Sequence, residues 1–230
     1  MENFDYIKNN YLALKDEIQH ISDKVGVKAP TLVSVTKSGS DEELLALAAC
    51  SALEIGENRP GEVLRRGNLL RDAGYVPKMH EIGTLQRNKI KLIAESVYMI
   101  HSVDSVALAK DISRHAQNHG RVIPVLIEVN SANEEQKSGV LPEDTERLLY
   151  DIAGFEGICV KGLMTMGPVT ENSEDLRKYF RLTKTLFDKL SAEYKFGNDS
   201  VLSMGMSDSY RVAIEEGSTL VRVGRKLFIK

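Results

Sequence analysis

Apolar residues recur near the start of the chain in steps of three and four: Phe4, Ile7, Tyr11, Leu14, Ile18, Ile21 and Val25. One stripe on a helix of 3.6 residues per turn has this spacing, so the segment predicts an amphipathic helix docked on a core. The pattern ends within about four heptads, too short a run for a coiled coil. Beyond residue 30 the rhythm changes. Short runs that are apolar on both faces alternate with longer amphipathic stretches. The runs predict strands at 31–37, 53–57, 78–83, 97–103, 122–130, 160–166, 200–205 and 220–224. The stretches predict helices at 41–51, 61–72, 85–95, 105–119, 142–153, 172–195 and 208–216. Ser40, Asp104 or Ser105, and Asn172 or Ser173 are start signals for three of these helices, and Gly120 is a stop.

Strands apolar on both faces belong in a parallel sheet that is covered on both sides. Eight of them in strict alternation with helices predict an α/β fold: a single (β/α)8 TIM barrel over residues 1–230, with an additional N-terminal helix. An open doubly wound sheet is the alternative. Such sheets usually carry a Gly-x-Gly-x-x-Gly turn, and the sequence has none.

Composition narrows the partners. The 230 residues are 42% hydrophobic and 27% charged, with a formal net charge of −3. There is no basic surplus to grip a phosphate backbone, so nucleic acid is not an expected partner. No run of about 18 apolar residues occurs, and no membrane span is expected. The first twenty residues mix charges and lack the apolar centre of a signal peptide. The two cysteines, Cys50 and Cys159, match no zinc spacing, and a cytoplasmic location is expected.

Active sites of such barrels lie at the C-terminal strand ends, and here those ends are polar. Lys37 closes the run Leu32-Val-Ser-Val-Thr-Lys37 and shares a strand face with Val33 and Val35. A lysine held in an apolar mouth loses proton affinity, and its free amine can attack a carbonyl to form a Schiff base. A snorkelling strand-end lysine is the equally open reading. Gly205 and Ser207 follow the seventh strand, a helix is expected from Asp208, and Gly224-Arg225 ends the eighth strand. Loops after strands seven and eight form the recurrent phosphate site of these barrels, against the plainer reading of two tight turns. Arg222 alternates with Val221 and Val223. If it points inward it needs a ligand or a carboxylate, with Glu57 or Glu216 as structural partners. His80 and His101 end strands three and four and read as structural. His115 and His119 lie four apart on a helix with no third metal ligand nearby.

Several blocks then occur together and in order: Val35-Thr-Lys37, Ile55-Gly-Glu-Asn58, His80-Glu-Ile-Gly-Thr-Leu-Gln-Arg-Asn-Lys89, Ile100-His-Ser-Val-Asp104, Lys137-Ser-Gly139, Gly162-Leu-Met-Thr-Met166, Ser203-Met-Gly-Met-Ser-Asp208, Ile214-Glu-Glu-Gly-Ser-Thr219 and Val221-Arg-Val-Gly-Arg225. From about residue 30 onward the chain resembles the pyridoxal phosphate homeostasis proteins, the YggS/PROSC family. The resemblance implies a barrel like the N-terminal domain of alanine racemase, without the racemase's second domain. It implies a covalent aldimine of pyridoxal 5′-phosphate on Lys37. Ser207, Gly224 and Arg225 would hold the phosphate, Arg222 would face the pyridine nitrogen, and Asn58 and His80 would lie near the cofactor. An arginine at that nitrogen discourages its protonation and makes the ring a poorer electron sink. No tyrosine is placed as a second base, since Tyr210 falls inside the last helix.

The reading is therefore a non-catalytic carrier, a monomer that holds pyridoxal phosphate and passes it to apoenzymes. A weak racemase or lyase using the same cofactor, and a cofactor-free Schiff-base aldolase, are the alternatives. The chain departs from the family pattern at Arg59-Pro60-Gly61, at Met79 and Glu81, where the family has aromatics, and at its end, Phe228-Ile-Lys230.

Overall fold

The structure is a computed structural model that describes residues 4–134, 136–170 and 172–230. Eight parallel strands form a closed barrel in sequence order: β1 (Thr31–Val35), β2 (Glu54–Glu57), β3 (Lys78–Glu81), β4 (Met99–Val103), β5 (Ile123–Glu128), β6 (Ile158–Met164), β7 (Val201–Ser203) and β8 (Leu220–Val223). Pairing of β1 with β8, from Thr31↔Leu220 to Ser34↔Val223, closes the ring. The register shifts within the β4–β5 and β5–β6 pairs.

The helices are α1 (Asp5–Val25), α2 (Asp41–Ala49), α3 (Pro60–Asp72), α4 (Val106–Asn118), α5 (Thr145–Ile152), α6 (Arg177–Tyr194) and α7 (Tyr210–Glu215). Ser40 caps α2 through a full capping box with Glu43. Pro60 opens α3, where a missing N–H costs nothing. The main core lies between the barrel's outer face and helices α2–α6.

α1 does more than dock. Its stripe of Ile7, Tyr11, Leu14 and Ile18 packs with Leu47 of α2, Tyr210 and Ile214 of α7, and Val221 and Val223 of β8. β8 is followed by a 3₁₀ turn, Arg225–Leu227, and α1 covers the seam beside it, as helices cover the other strands of the ring. Asn10 donates from Nδ2 to the carbonyls of Leu227 and Ile229, at 3.2 and 2.8 Å.

Four sequence expectations shift. The segment 85–95 forms a 3₁₀ helix, Arg87–Leu92, rather than an α-helix. The helix Arg87–Leu92 has no side-chain cap and buries only Ile90 of its own residues. The segment 172–195 divides into a 3₁₀ turn, Ser173–Leu176, and α6. The helix expected from Asp208 begins at Tyr210, because Ser209 first closes a turn, donating its N–H to the Met206 carbonyl and accepting the Met206 N–H on Oγ. β1 ends at Val35, two residues before Lys37.

Because α1 covers this seam, truncating its stripe should destabilise the whole barrel. Leu14→Ala is expected to cost about 2–4 kcal/mol, read from urea unfolding at unchanged m-value.

Candidate functional site

The C-terminal ends of β7, β8 and β1 meet at one side of the barrel mouth. After β7 the backbone turns at Gly205, whose φ of +93° and contact with Ala213 leave no room for a Cβ. The turn brings Ser207 back over β8, where its Oγ accepts the Gly224 N–H at 3.2 Å. Gly224 lies against β1, and a Cβ there would come within 2.8 Å of the Val35 carbonyl oxygen. Beyond it the first N–H groups of the 3₁₀ turn Arg225–Leu227 have no acceptor within the turn. The exposed Arg225 side chain pairs with Asp208 across the same gap. Ser207, Gly224 and Arg225 therefore come together as a small polar cradle, built from backbone N–H groups, a hydroxyl and a guanidinium.

Lys37 sits beside this cradle, in the turn that follows β1. The sequence reading placed it as the last strand residue in an apolar mouth. The structure corrects this: Lys37 is exposed and bonds to nothing among the described residues. The ladder runs one residue past the strand, with the Thr36 N–H on the Gly56 carbonyl at 3.2 Å, and then the Gly39 N–H closes a turn onto the Thr36 carbonyl at 2.9 Å. Three side chains fix that turn. Arg66, buried on α3, donates from Nη1 to the Thr36 carbonyl and from Nη2 to the Gly39 carbonyl, at 2.6 and 2.7 Å. Its Nη1 also lies 3.3 Å from the fully buried Glu57 carboxylate, which accepts the Thr36 hydroxyl. Phe228 packs against Gly39 so closely that a Cβ could not be added. Sequence reasoning did not single out Arg66 or the anchoring role of Glu57. Neither sits in a motif, and the only signal was an arginine on an otherwise buried helix face.

Arg222 points into the barrel and is fully buried. Burial pushes its guanidinium down to about 10, and Glu128 pulls the other way. It pairs with neither Glu57 nor Glu216, the two carboxylates considered from sequence. Glu57 is taken by Arg66 and Glu216 by Arg177 and Arg181. Instead Arg222 donates to Ser203 Oγ at 2.5 Å and to the carbonyls of Ser203 and Thr165 at 3.0 and 3.1 Å.

Asn58 lies at the mouth, exposed, with its backbone pressed against Gly83. His80 is deeper. Its ring nitrogens bond Glu54 at 2.7 Å and His101 at 2.9 Å inside the barrel, so it reaches Arg222 only through other residues. His115 and His119 stay outside the site on and after α4, and no cluster of three metal-ligating side chains occurs among the described residues.

The unusual Glu81 is buried on the barrel's outer face, in register with Glu57. Burial pushes its carboxyl up to about 8; the Gly83 N–H holds it down and Glu57 pushes it further up. Its Oε2 has no hydrogen-bond partner, as does Glu57 Oε2. Met79 fills the space beneath Gly67 of α3.

The closed barrel is that of the alanine racemase N-terminal domain, whose family model matches residues 10–229. An alanine racemase of Clostridium difficile shares that fold at a TM-score of 0.71 and 18% identity, over 91% of this chain and 57% of its own. More narrowly, the chain belongs to the family of the pyridoxal phosphate homeostasis proteins. It is 40% identical to the one from Aquifex aeolicus over 88% of both chains. The crystal structure of a protein of unknown function from Bifidobacterium adolescentis superposes with a TM-score of 0.91 at 33% identity, covering 99% of this chain and 97% of that one. PipY of Synechococcus elongatus, solved with pyridoxal phosphate bound, superposes with a TM-score of 0.84 at 26% identity, over 97% and 100% of the chains.

Two predictions follow from the packing around the mouth. Arg66→Ala strands Glu57 as an unpaired buried carboxylate and should cost about 3–5 kcal/mol in denaturant unfolding. Glu81 binds its proton more tightly folded than unfolded, so the native state holds the extra proton between about pH 4.5 and 8. Stability should fall as pH rises through that window, and Glu81→Gln should flatten the fall in a series of melting curves.

Proposed function

We propose that the chain binds pyridoxal 5′-phosphate and serves the homeostasis of that cofactor rather than turning over a substrate. The observation that carries the reading is the adjacency of the Ser207–Gly224–Arg225 cradle and the Lys37 turn across the β8–β1 seam, with Arg222 buried between β7 and β1. The residues fit the group. Gly224 and Gly205 lie where a Cβ would clash, so the backbone there is bare, and the Arg225 N–H opens the 3₁₀ turn beside the Ser207 hydroxyl.

In this reading Ser207, the backbone of Gly224 and Arg225 would hold the phosphate. Arg222 would face the pyridine nitrogen and disfavour its protonation. Lys37 would supply the amine that bonds the aldehyde carbon, with one water released. Asn58, just after β2, would lie near the ring, and His80 would act on it only through the barrel interior. The cofactor, when bound, supplies an electrophilic aldehyde and an electron-withdrawing ring.

Two features favour holding over turnover. A buried guanidinium at the ring nitrogen weakens the electron sink that carbanion chemistry needs. Tyr210, the tyrosine nearest the cradle in sequence, is buried behind β8 against α1, with its hydroxyl 3.0 Å from Lys226 Nζ. It is not a second base at the mouth. The exposed Lys37 and Arg225 suit a mouth from which the cofactor passes to apoenzymes. The chain acts as a single-domain monomer in the cytoplasm in this proposal. No helix among the described residues is long and apolar enough to cross a membrane.

The test is direct. Protein mixed with pyridoxal phosphate should absorb as a protein-bound imine, and borohydride followed by peptide mass spectrometry should place the reduced adduct on Lys37. Lys37→Ala should abolish the adduct, and Ser207→Ala should weaken binding about tenfold. A wild-type protein that takes up no cofactor would sink the proposal. For the non-catalytic part, no amino acid in a panel should exchange its Cα proton with deuterated water at a useful rate.

A further inference from the structure

A column of polar side chains runs down the inside of the barrel from Arg222. Ser203 Oγ accepts from Arg222 at 2.5 Å and lies 3.1 Å from His101 Nδ1. His101 Nε2 is 2.9 Å from His80 Nδ1, and His80 Nε2 is 2.7 Å from Glu54 Oε2. Lys78 closes the far end, donating to Glu54 Oε1 at 2.7 Å. The column links β8, β7, β4, β3 and β2 in one line, and four of its members, Arg222, Ser203, His101 and His80, are buried.

Its proton positions follow from the chemistry of the two ends. A guanidinium only donates, so Ser203 Oγ is the acceptor and its own proton is free to point onward. Glu54 is a carboxylate: burial raises it, but the hydrogen bonds of His80 and Lys78 bring it below the usual range. A carboxylate only accepts, so His80 carries a proton on Nε2. One proton then lies between the two rings. If it sits on His101 Nε2, both rings are neutral, Ser203 donates to the bare His101 Nδ1, and the only charges are the cations at the two ends, Arg222 and Lys78, and the Glu54 carboxylate. If it sits on His80 Nδ1, that ring becomes a further cation in a dry interior, which costs more. Burial, together with His80 and Arg222, holds His101 well below its ordinary value. The charged and titratable groups facing the two rings are Glu54 from β2, Lys78 from β3, Tyr98 at the start of β4, Glu128 from β5 and Arg222 from β8.

We propose that Ser203, His101, His80 and Glu54 form a one-way hydrogen-bond relay, every proton pointing from Arg222 toward Glu54, that positions the Arg222 guanidinium at the barrel mouth. All four are positioning residues. The relay makes Ser203 a better acceptor, because a hydroxyl that donates strongly also accepts strongly. It supplies at a distance the anion that a buried arginine otherwise has beside it, through the Ser203 hydroxyl that Nη1 already grips. The role toward the pyridine ring rests on the proposed cofactor; the relay itself does not.

Nitrogen-15 NMR of the full, ligand-free chain with labelled histidine and arginine tests it at pH 8. Both rings should show Nε2–H with a bare Nδ1, and the Arg222 guanidinium protons should exchange slowly with solvent. Ser203→Ala should speed that exchange at least tenfold, and Ser203→Thr, which keeps the hydroxyl, should restore it. Glu54→Gln keeps an acceptor but removes the charge, and should speed exchange about threefold from the far end of the column. In cofactor-loaded protein, the same Glu54→Gln change should shift the absorption maximum of the bound ring. An Nδ1–H on His101, a doubly protonated ring, or exchange indifferent to Ser203 and Glu54 overturns the relay even if Lys37 takes up the cofactor. Relay-like spectra in a protein that never binds pyridoxal phosphate would leave the relay standing and remove the proposed function.

Discussion

A guanidinium buried inside the barrel is the constraint on which the rest of the mouth depends. Barrels of this architecture usually fill their interior with layers of branched apolar side chains. Here Met99, Leu126 and Met164 supply such a layer, and beside it the interior admits Arg222, two histidines, a serine and a glutamate. Leaving that charge without partners would cost several kcal/mol. Its satisfaction needs the Ser203 and Thr165 carbonyls and the Ser203 hydroxyl at one height, which requires β6, β7 and β8 to be adjacent and correctly staggered. A slip of one residue along β8 would point Arg222 at the hydrophobic layer outside, beside α1. The polar interior thus helps fix strand register as well as the site.

The loops at the mouth are held from outside the barrel. Arg66 on α3 grips the turn bearing Lys37 by its carbonyls, and Glu57 anchors both Arg66 and Thr36. Phe228, near the chain's end, closes the other side of the turn over Gly39. An exposed lysine at a precise location is the result: its backbone is fixed while its side chain stays free to move.

Most of the fold was legible in the sequence because parallel barrel strands are apolar on both faces and their helices are amphipathic. Eight strands, the capped α2 and the N-terminal helix all appear where the pattern places them. The misses are local. The stretch 85–95 has helical composition, but its helical part, Arg87–Leu92, has no side-chain cap and buries only Ile90, so it tightens into a 3₁₀ helix. The end of β1 was misjudged because Thr36 keeps one ladder bond after the strand geometry has ended. That Ser207, Gly224 and Arg225 come together was legible, because a glycine turn and a strand end advertise themselves. The column under Arg222 was not. Glu54, His80, His101 and Ser203 lie on four strands, and nothing short of the barrel's closure and stagger brings them into one line. His101 was read as structural for lack of a sequence neighbour to act with.

The placement of α1 has a consequence for how the protein comes into being. Asn10 is joined to Leu227 and Ile229, and the stripe of α1 packs on β8, so α1 is made well before the strand that seats it. Contacts of such long sequence separation are slow to form and reward folding only late. The cradle of Ser207, Gly224 and Arg225 lies at that same late-closing seam. A nascent chain would already hold the inner side of the lysine turn, gripped by Arg66 and Glu57, yet lack Phe228 on its other side and the β8 half of the cradle. Capture of an anionic ligand would then act as the latch on a ring whose two ends have just met.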